Sequence, residues 1–342
     1  MEKLSVIIPC YNVENYIEET IESLLNQTYR DFSIICLDDC SQDHTLDALK
    51  RLSKRDSRIK VYANEVNLGV VGTLNKLVGL SDSEWILRMD SDDIFESSRI
   101  SKLINKIQEK PFQIVSTSYS YIDFNSRVIP SKIGLDLCTL NKSIKYMALL
   151  NSPFPSQALF HRSVFEKEKF DDEFKVAEDY YFFTKLLEDN DVKVANLPEK
   201  LYRYRINPSG LTHTNALLMR QNHFEIAKRY ALHILGKASH EINFLQIGLK
   251  LIDLNTLDSK TIIHYLKQLF NLKTDYCLKF SPDKNELDEI NKYTQQYFIY
   301  LLYTVFSSTI SFSKKMKVVI GMCPYIFKSF NPQTIKWLIK NI

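Results

Sequence analysis

Glycine is scarce, at 8 of 342 residues, and its placement excludes several nucleotide sites. There is no G-x-x-x-x-G-K-[ST] loop and no G-x-G-x-x-G turn, so neither a P-loop nor a dinucleotide-binding fingerprint is present. A G-x-S-x-G elbow is also missing, which excludes a hydrolase of that kind. The six cysteines form no C-x-x-C pair and the seven histidines no zinc spacing, so a zinc module and a disulfide framework are not expected. The start of the chain has no basic stretch, long apolar run or small-residue cleavage site, so a cytoplasmic location is expected. The net charge of +3 is too small for a general nucleic-acid binder, and no nucleic-acid partner is expected.

The charge is unevenly distributed. Residues 214–342 hold 17 Lys and Arg against 9 Asp and Glu, a net +8, which leaves 27 against 32, a net −5, for 1–213. No acidic residue follows Glu289, whereas Lys292, Lys314, Lys315, Lys317, Lys328, Lys336 and Lys340 do. A solvated helical face and a surface for anionic lipid headgroups are both open readings. Residues 293–313 carry no charge, but their Gln, Ser, Thr and Tyr content fits a buried or interfacial helix better than a span.

What is present is an alternation of strand and helix signals. Apolar runs at Leu4–Pro9 and Phe32–Leu37 read as strands, as do Ile59–Ala63 and Trp85–Met89, and Gln113–Ser118 reads as extended. Helical spacing lies between them, at 16–25, Thr45–Leu52, Val70–Leu80 and Ile100–Ile107. That pattern predicts an α/β fold with a mostly parallel sheet and helices on both faces. The alternation fails after about residue 130. From about 214 the patterns are helical, at Ala216–Leu235, Ile242–Leu254, Thr261–Phe270, Leu287–Tyr303 and Gln333–Ile339. Two domains are expected, 1–213 and 214–342.

Asn12, Asp39 and Asp90 each fall just past the end of a predicted strand, where open α/β sheets bind ligands. Asp90-Ser91-Asp92-Asp93 places carboxylates at i and i+2 on a turn. Mg²⁺ or Mn²⁺ is typically held by one or two such groups together with substrate phosphates. Glu178-Asp179 opens an amphipathic stretch, where the pair could meet the helix dipole or act as a general base. Asp38–Asp43 supplies a candidate helix cap at Ser41 or Asp43.

In order and spacing, four motifs in the first 210 or so residues resemble the inverting family 2 glycosyltransferases with the GT-A fold. They are S-V-I-I-P-C-Y-N at 5–12 with Glu14 following, L-D-D-C-S-Q-D-H-T at 37–45, M-D-S-D-D at 89–93 and E-D-Y-Y-F-F-T-K-L at 178–186. The resemblance implies a GT-A domain followed by a mainly helical region, as in bacterial transferases of surface polysaccharide or lipid-linked glycan. It implies a nucleotide-diphosphate sugar donor, usually UDP-linked, with Pro9, Tyr11, Asn12, Glu14, Asp39, Asn67, Asp90 and Ser91 around the nucleotide. Asp92 would hold Mn²⁺ or Mg²⁺, Asp179 would be the catalytic base, and Arg205 is a candidate diphosphate contact. The acceptor would be a glycan or lipid-linked glycan, with the helical region a candidate peripheral contact at the inner face of the cell membrane. Three positions depart from the family pattern. Thr73-Leu74-Asn75 stands where A-R-N is frequent, with Lys76 next to it; Cys40 replaces Gly; and Asn207 replaces His. A binding protein without catalysis is the alternative function, and a haloacid-dehalogenase-type phosphatase, which also uses D-x-D after a strand, is another.

Overall fold

The computed structural model describes residues 3–130, 135–207, 210, 214–236 and 242–329. The expected helix at Gln333–Ile339 lies outside them. Two compact units are formed, one from Met1–Lys132 with Ser152–Ala216, the other from Ile133–Asn151 with Leu217–Ile342.

The first unit alternates as the sequence predicts: β1 (Leu4–Cys10), α1 (Ile17–Leu25), β2 (Ser33–Asp38), α2 (Thr45–Ser53), β3 (Ile59–Ala63), α3 (Gly69–Leu80) and β4 (Trp85–Arg88). β1, β2 and β4 are buried along nearly their whole length. Strands covered by helices on both faces read as continuous apolar runs, which is why the runs were visible. After β4 come β5 (Ile94–Phe95), α4 (Arg99–Glu109), β6 (Ile114–Ile122) and β7 (Val128–Ile129). The unit resumes with β8 (Leu159–His161), α6 (Ser163–Lys167), α7 (Glu178–Leu187) and β9 (Val194–Arg205).

The strand order is β3-β2-β1-β4-β8-β6-β9-β5, with β7 beside β6. β3, β2, β1 and β4 are parallel, as are β6 and β9, while β8 runs antiparallel between β4 and β6. The 12-residue β9 falls in the stretch where no alternation was legible. Its Lys, Arg and Glu residues break the apolar pattern, and its strand character comes from pairing with β6 and β5.

The second unit is helical: α5 (Asn141–Met147), α8 (Ala216–Leu235), α9 (Phe244–Gly248), α10 (Ser259–Phe280), α11 (Lys284–Ser307) and α12 (Phe312–Ser329). α5 belongs here because Glu286 and Glu289 of α11 accept from the backbone N–H groups of Lys142, Thr139 and Leu140. The Tyr276 hydroxyl donates to the Lys142 carbonyl at 2.7 Å. The uncharged stretch 293–313 covers most of α11, whose Tyr293, Tyr297, Phe298, Leu301, Leu302 and Val305 are core residues. No helix among the described residues is long and apolar enough to cross a membrane.

Candidate active site

β1 lies between β2 and β4, so the loops leaving all three strands start side by side. The loops after β1 and β2 are fastened by reciprocal hydrogen bonds. The Asn12 N–H donates to Ser41 Oγ (3.0 Å), and the Gln42 N–H donates back to Asn12 Oδ1 (2.8 Å). Likewise the Glu14 N–H donates to Asp43 Oδ2 (3.0 Å) and the His44 N–H to Glu14 Oε2 (2.8 Å). The loop leading into α2 is thus held by the loop after β1, while the first N–H of α2, that of Thr45, is met by Asp43 Oδ1 at 3.0 Å. Asn12 and Cys40 both adopt left-handed backbone, at φ 51° and 63°. Asn tolerates that region; Cys does not, which explains glycine at the corresponding position of the family pattern. Pro9 is half-buried and Tyr11 is exposed.

Asp39 is buried and anchored. Its Oδ1 accepts from Asn64 Nδ2 (2.7 Å) and the Leu68 N–H (2.8 Å), and its Oδ2 from the Gly69 N–H (2.9 Å). The carboxylate therefore sits at the N-terminus of α3, where the helix dipole favours it. Asn67 donates to the Asp39 carbonyl at 3.0 Å, so it holds the same loop. Lys76 donates to Asn64 Oδ1 at 2.7 Å, completing a Lys76–Asn64–Asp39 chain. Asn75 instead exchanges hydrogen bonds with the Phe170 backbone.

Two strand spacings away, about 10 Å along the sheet, the acidic turn follows β4. Arg88 is buried and contacts two acidic residues: Nε donates to Asp90 Oδ1 (3.0 Å) and Nη2 to Glu178 Oε1 (3.2 Å). Burial opposes its charge, yet Asp90, Glu178 and Asp179 together hold its pKa above the ordinary arginine value. Glu178 and Asp179 lie in the first turn of α7, which is entered through Ala177 at φ 82°, a strained conformation for a residue with a Cβ. Burial pushes the Glu178 carboxyl up to about 7; Arg88 pulls it down, and Asp179 adds to the rise. Asp179 is half-buried and accepts from the Tyr180 N–H at 2.7 Å.

The three aspartates of the turn have different surroundings. Asp90 Oδ2 accepts from Ser156 and Gln157. Asp93 is buried, its carboxylate accepting from Tyr202, Gln157 and the Arg205 N–H, and burial raises its pKa strongly. The hydroxyl of Thr20 binds the carbonyls of Ser91 and Asp93, fixing the turn from α1, so Ser91 is buried as part of the turn. Asp92 has one weak side-chain contact, with Asn207 Nδ2 at 3.4 Å. Burial and the Asp90 charge push its carboxyl up to about 6. It is the carboxylate of the three least engaged by the chain. No cluster of three or more His, Cys, Asp or Glu suited to a metal occurs among the described residues. The donor set fits a hard divalent ion held by Asp92 and completed by phosphate oxygens.

The surroundings of Arg205 do not match the expected diphosphate contact. Its side chain is fully buried. Nε donates to the Asp92 carbonyl (2.6 Å), Nη1 to Asp123 and Phe124 carbonyls, and Nη2 to Glu19 (2.7 Å), so every guanidinium nitrogen is engaged within the chain. It is a strut beneath the acidic turn. Gln157, Tyr202, Asn64 and Arg88 are the residues that sequence reasoning missed. Only Arg88 carried a signal, as a charge on an otherwise apolar strand beside D-x-D.

Comparison with known proteins settles the family. The model "Glycosyl transferase family 2" matches residues 5–168. A Haemophilus influenzae protein described as an uncharacterized glycosyltransferase is 31% identical over 293 residues, covering 82% of this chain and 87% of the relative. The chain belongs to glycosyltransferase family 2. Among its other relatives is the Escherichia coli UDP-Glc:alpha-D-GlcNAc-diphosphoundecaprenol beta-1,3-glucosyltransferase WfgD, 26% identical over 247 residues, covering 72% of this chain and 94% of the relative. The fold matches Staphylococcus aureus TarS 1–349 in complex with UDP-GlcNAc, with TM-score 0.58 and 19% identity over 90% of this chain and 93% of that one. It also matches the Pyrobaculum calidifontis mannosyltransferase PcManGT in complex with GDP-Man and Mn²⁺, with TM-score 0.51 and 13% identity over 98% and 79%. The expected α/β GT-A fold with a helical C-terminal region is thereby shown, and this family 2 glycosyltransferase is an enzyme class distinct from the phosphatase alternative.

Two outcomes follow from this geometry. Replacing Cys40 by Gly relieves the left-handed strain against a more flexible unfolded chain, so Cys40→Gly raises stability by about 0.5–1 kcal/mol, read as a higher urea midpoint at unchanged slope. Glu178 holds a proton in the folded chain between the ordinary 4.5 and about 7, where the unfolded chain does not. Stability therefore falls as pH rises through that window. Glu178→Gln removes this slope: its midpoint matches the wild type at the acidic end and exceeds it at the alkaline end.

Proposed function

We propose that this glycosyltransferase moves a sugar from a UDP-linked donor to a hydroxyl of a glycan or lipid-linked glycan, by a single inverting displacement. The observation that carries the reading is the gathering of Asp90, Glu178 and Asp179 around Arg88, with Asp92 on the same turn. The UDP-GlcNAc complex of the structural neighbour and the lipid-linked substrate in the name of WfgD support donor and acceptor class.

Asp179 is the base in this reading. Its half-buried carboxylate accepts the proton of the acceptor hydroxyl as that oxygen attacks the anomeric carbon. Arg88 orients the first turn of α7 through Glu178, so the base is held by a buried hydrogen bond rather than by a loop. Asp92 would hold Mn²⁺ or Mg²⁺, and such an ion would supply charge stabilisation for the diphosphate. The leaving group needs no protein acid, because a nucleoside diphosphate leaves as a stable anion. On the nucleotide side, Asp39 and Asn67 set the α3 entry, Asn12 and Glu14 shape the first loop, and Tyr11 is the exposed ring for the nucleobase.

Asp179→Asn is expected to keep UDP-sugar affinity and lose about 10²–10⁴ in transfer rate, measured by calorimetry and product formation. Normal transfer by this variant would assign the base elsewhere. Asp92→Ala is expected to abolish the stimulation of transfer by Mn²⁺; unchanged stimulation would remove the cation from Asp92.

A further inference from the structure

α12 carries two apolar rows, one buried and one exposed. Val318, Met322 and Ile326 are buried. Gly321 lets this helix approach α10 so closely that a Cβ would lie 2.3 Å from Cδ1 of Ile263. With 3.6 residues per turn, Phe312, Met316 and Ile320 form a second row at i, i+4 and i+8, about a third of a turn round the helix from the buried one. They are 76%, 38% and 65% exposed, and Pro324 beside them is exposed too. A row of large apolar side chains left exposed on a helix marks an interaction surface.

The charge says what covers it. α12 contains Lys314, Lys315, Lys317 and Lys328 and no acidic residue, and none follows it in the chain. Lys314 and Lys315 place their ammonium groups on backbone carbonyls of 254, 306 and 308, whereas Lys317 is exposed at the margin of the apolar row. A second copy docked symmetrically on this face would set lysine against lysine. An anionic bilayer meets both features: the apolar row enters the headgroup–acyl boundary, and Lys317 at its margin meets lipid phosphate.

We propose that the outer face of α12, through Phe312, Met316 and Ile320, docks the protein in the plane of an anionic membrane surface. The proposal stands on this helix alone and is independent of the transfer chemistry.

Co-sedimentation of the full chain with vesicles tests it. Partition onto phosphatidylcholine containing phosphatidylglycerol is expected, weakened by salt, with little onto phosphatidylcholine alone. The double variant Phe312→Ser, Ile320→Ser removes two exposed side chains, so its fold is retained, checked by circular dichroism; its partition drops about tenfold or more. Lys317→Glu, a second exposed site, weakens binding to the anionic vesicles specifically. Wild-type protein that stays in the supernatant, or a double variant that partitions unchanged, overturns the proposal. So does a wild-type dimer that the double variant converts to monomer, which would assign the face to a second copy. Turnover of UDP-sugar without vesicles reads the transfer function separately.

Discussion

Arg88 is the interaction on which the site depends. A guanidinium buried at the end of a central strand costs several kcal/mol of desolvation unless anions meet it. Here it pairs with Asp90 on its own turn and with Glu178 on α7, 90 residues later in the chain. That double contact ties the turn after β4 to the helix carrying Asp179. Burial, with the neighbouring carboxylates adding to it, is why Glu178 takes up a proton near neutral pH and why the Asp92 carboxyl is pushed up.

Much of the polar motif chemistry serves the scaffold. Asn12, Glu14, Ser41 and Asp43 hold two loops together, Asp39 and Asn67 hold the entry to α3, and Thr20, Asp93, Tyr202 and Arg205 hold the acidic turn. Tyr11, Asp92 and Asp179 are the residues left open toward solvent or only weakly engaged. A family signature of this kind records the geometry of a crevice as much as its reacting groups. Preorganisation of that sort is what lets a few side chains act without moving at the moment of reaction.

The helical unit follows a different logic. Its tyrosines and phenylalanines build a core from α5, α10 and α11, and charge collects on the outside with one sign toward the end of the chain. α12 joins these two properties, with an exposed apolar row and only lysines among its charges.

The sequence by itself determined the elements whose signal is local. Apolar runs set β1, β2 and β4, turn residues placed Asn12, Asp39 and Asp90 at their ends, and the lysines after Glu289, with no acidic residue among them, marked a cationic end to the chain. Tertiary structure alone decided the pairings between distant residues. β9 is a strand because β6 and β5 supply its hydrogen bonds, and α5 joins the helical unit because carboxylates about 150 residues away accept its N–H groups. Arg205 reads as an anion contact in one dimension; in three, Glu19 and backbone carbonyls engage its donors. A buried polar group must find partners wherever the chain provides them, and spacing along the sequence does not carry that information.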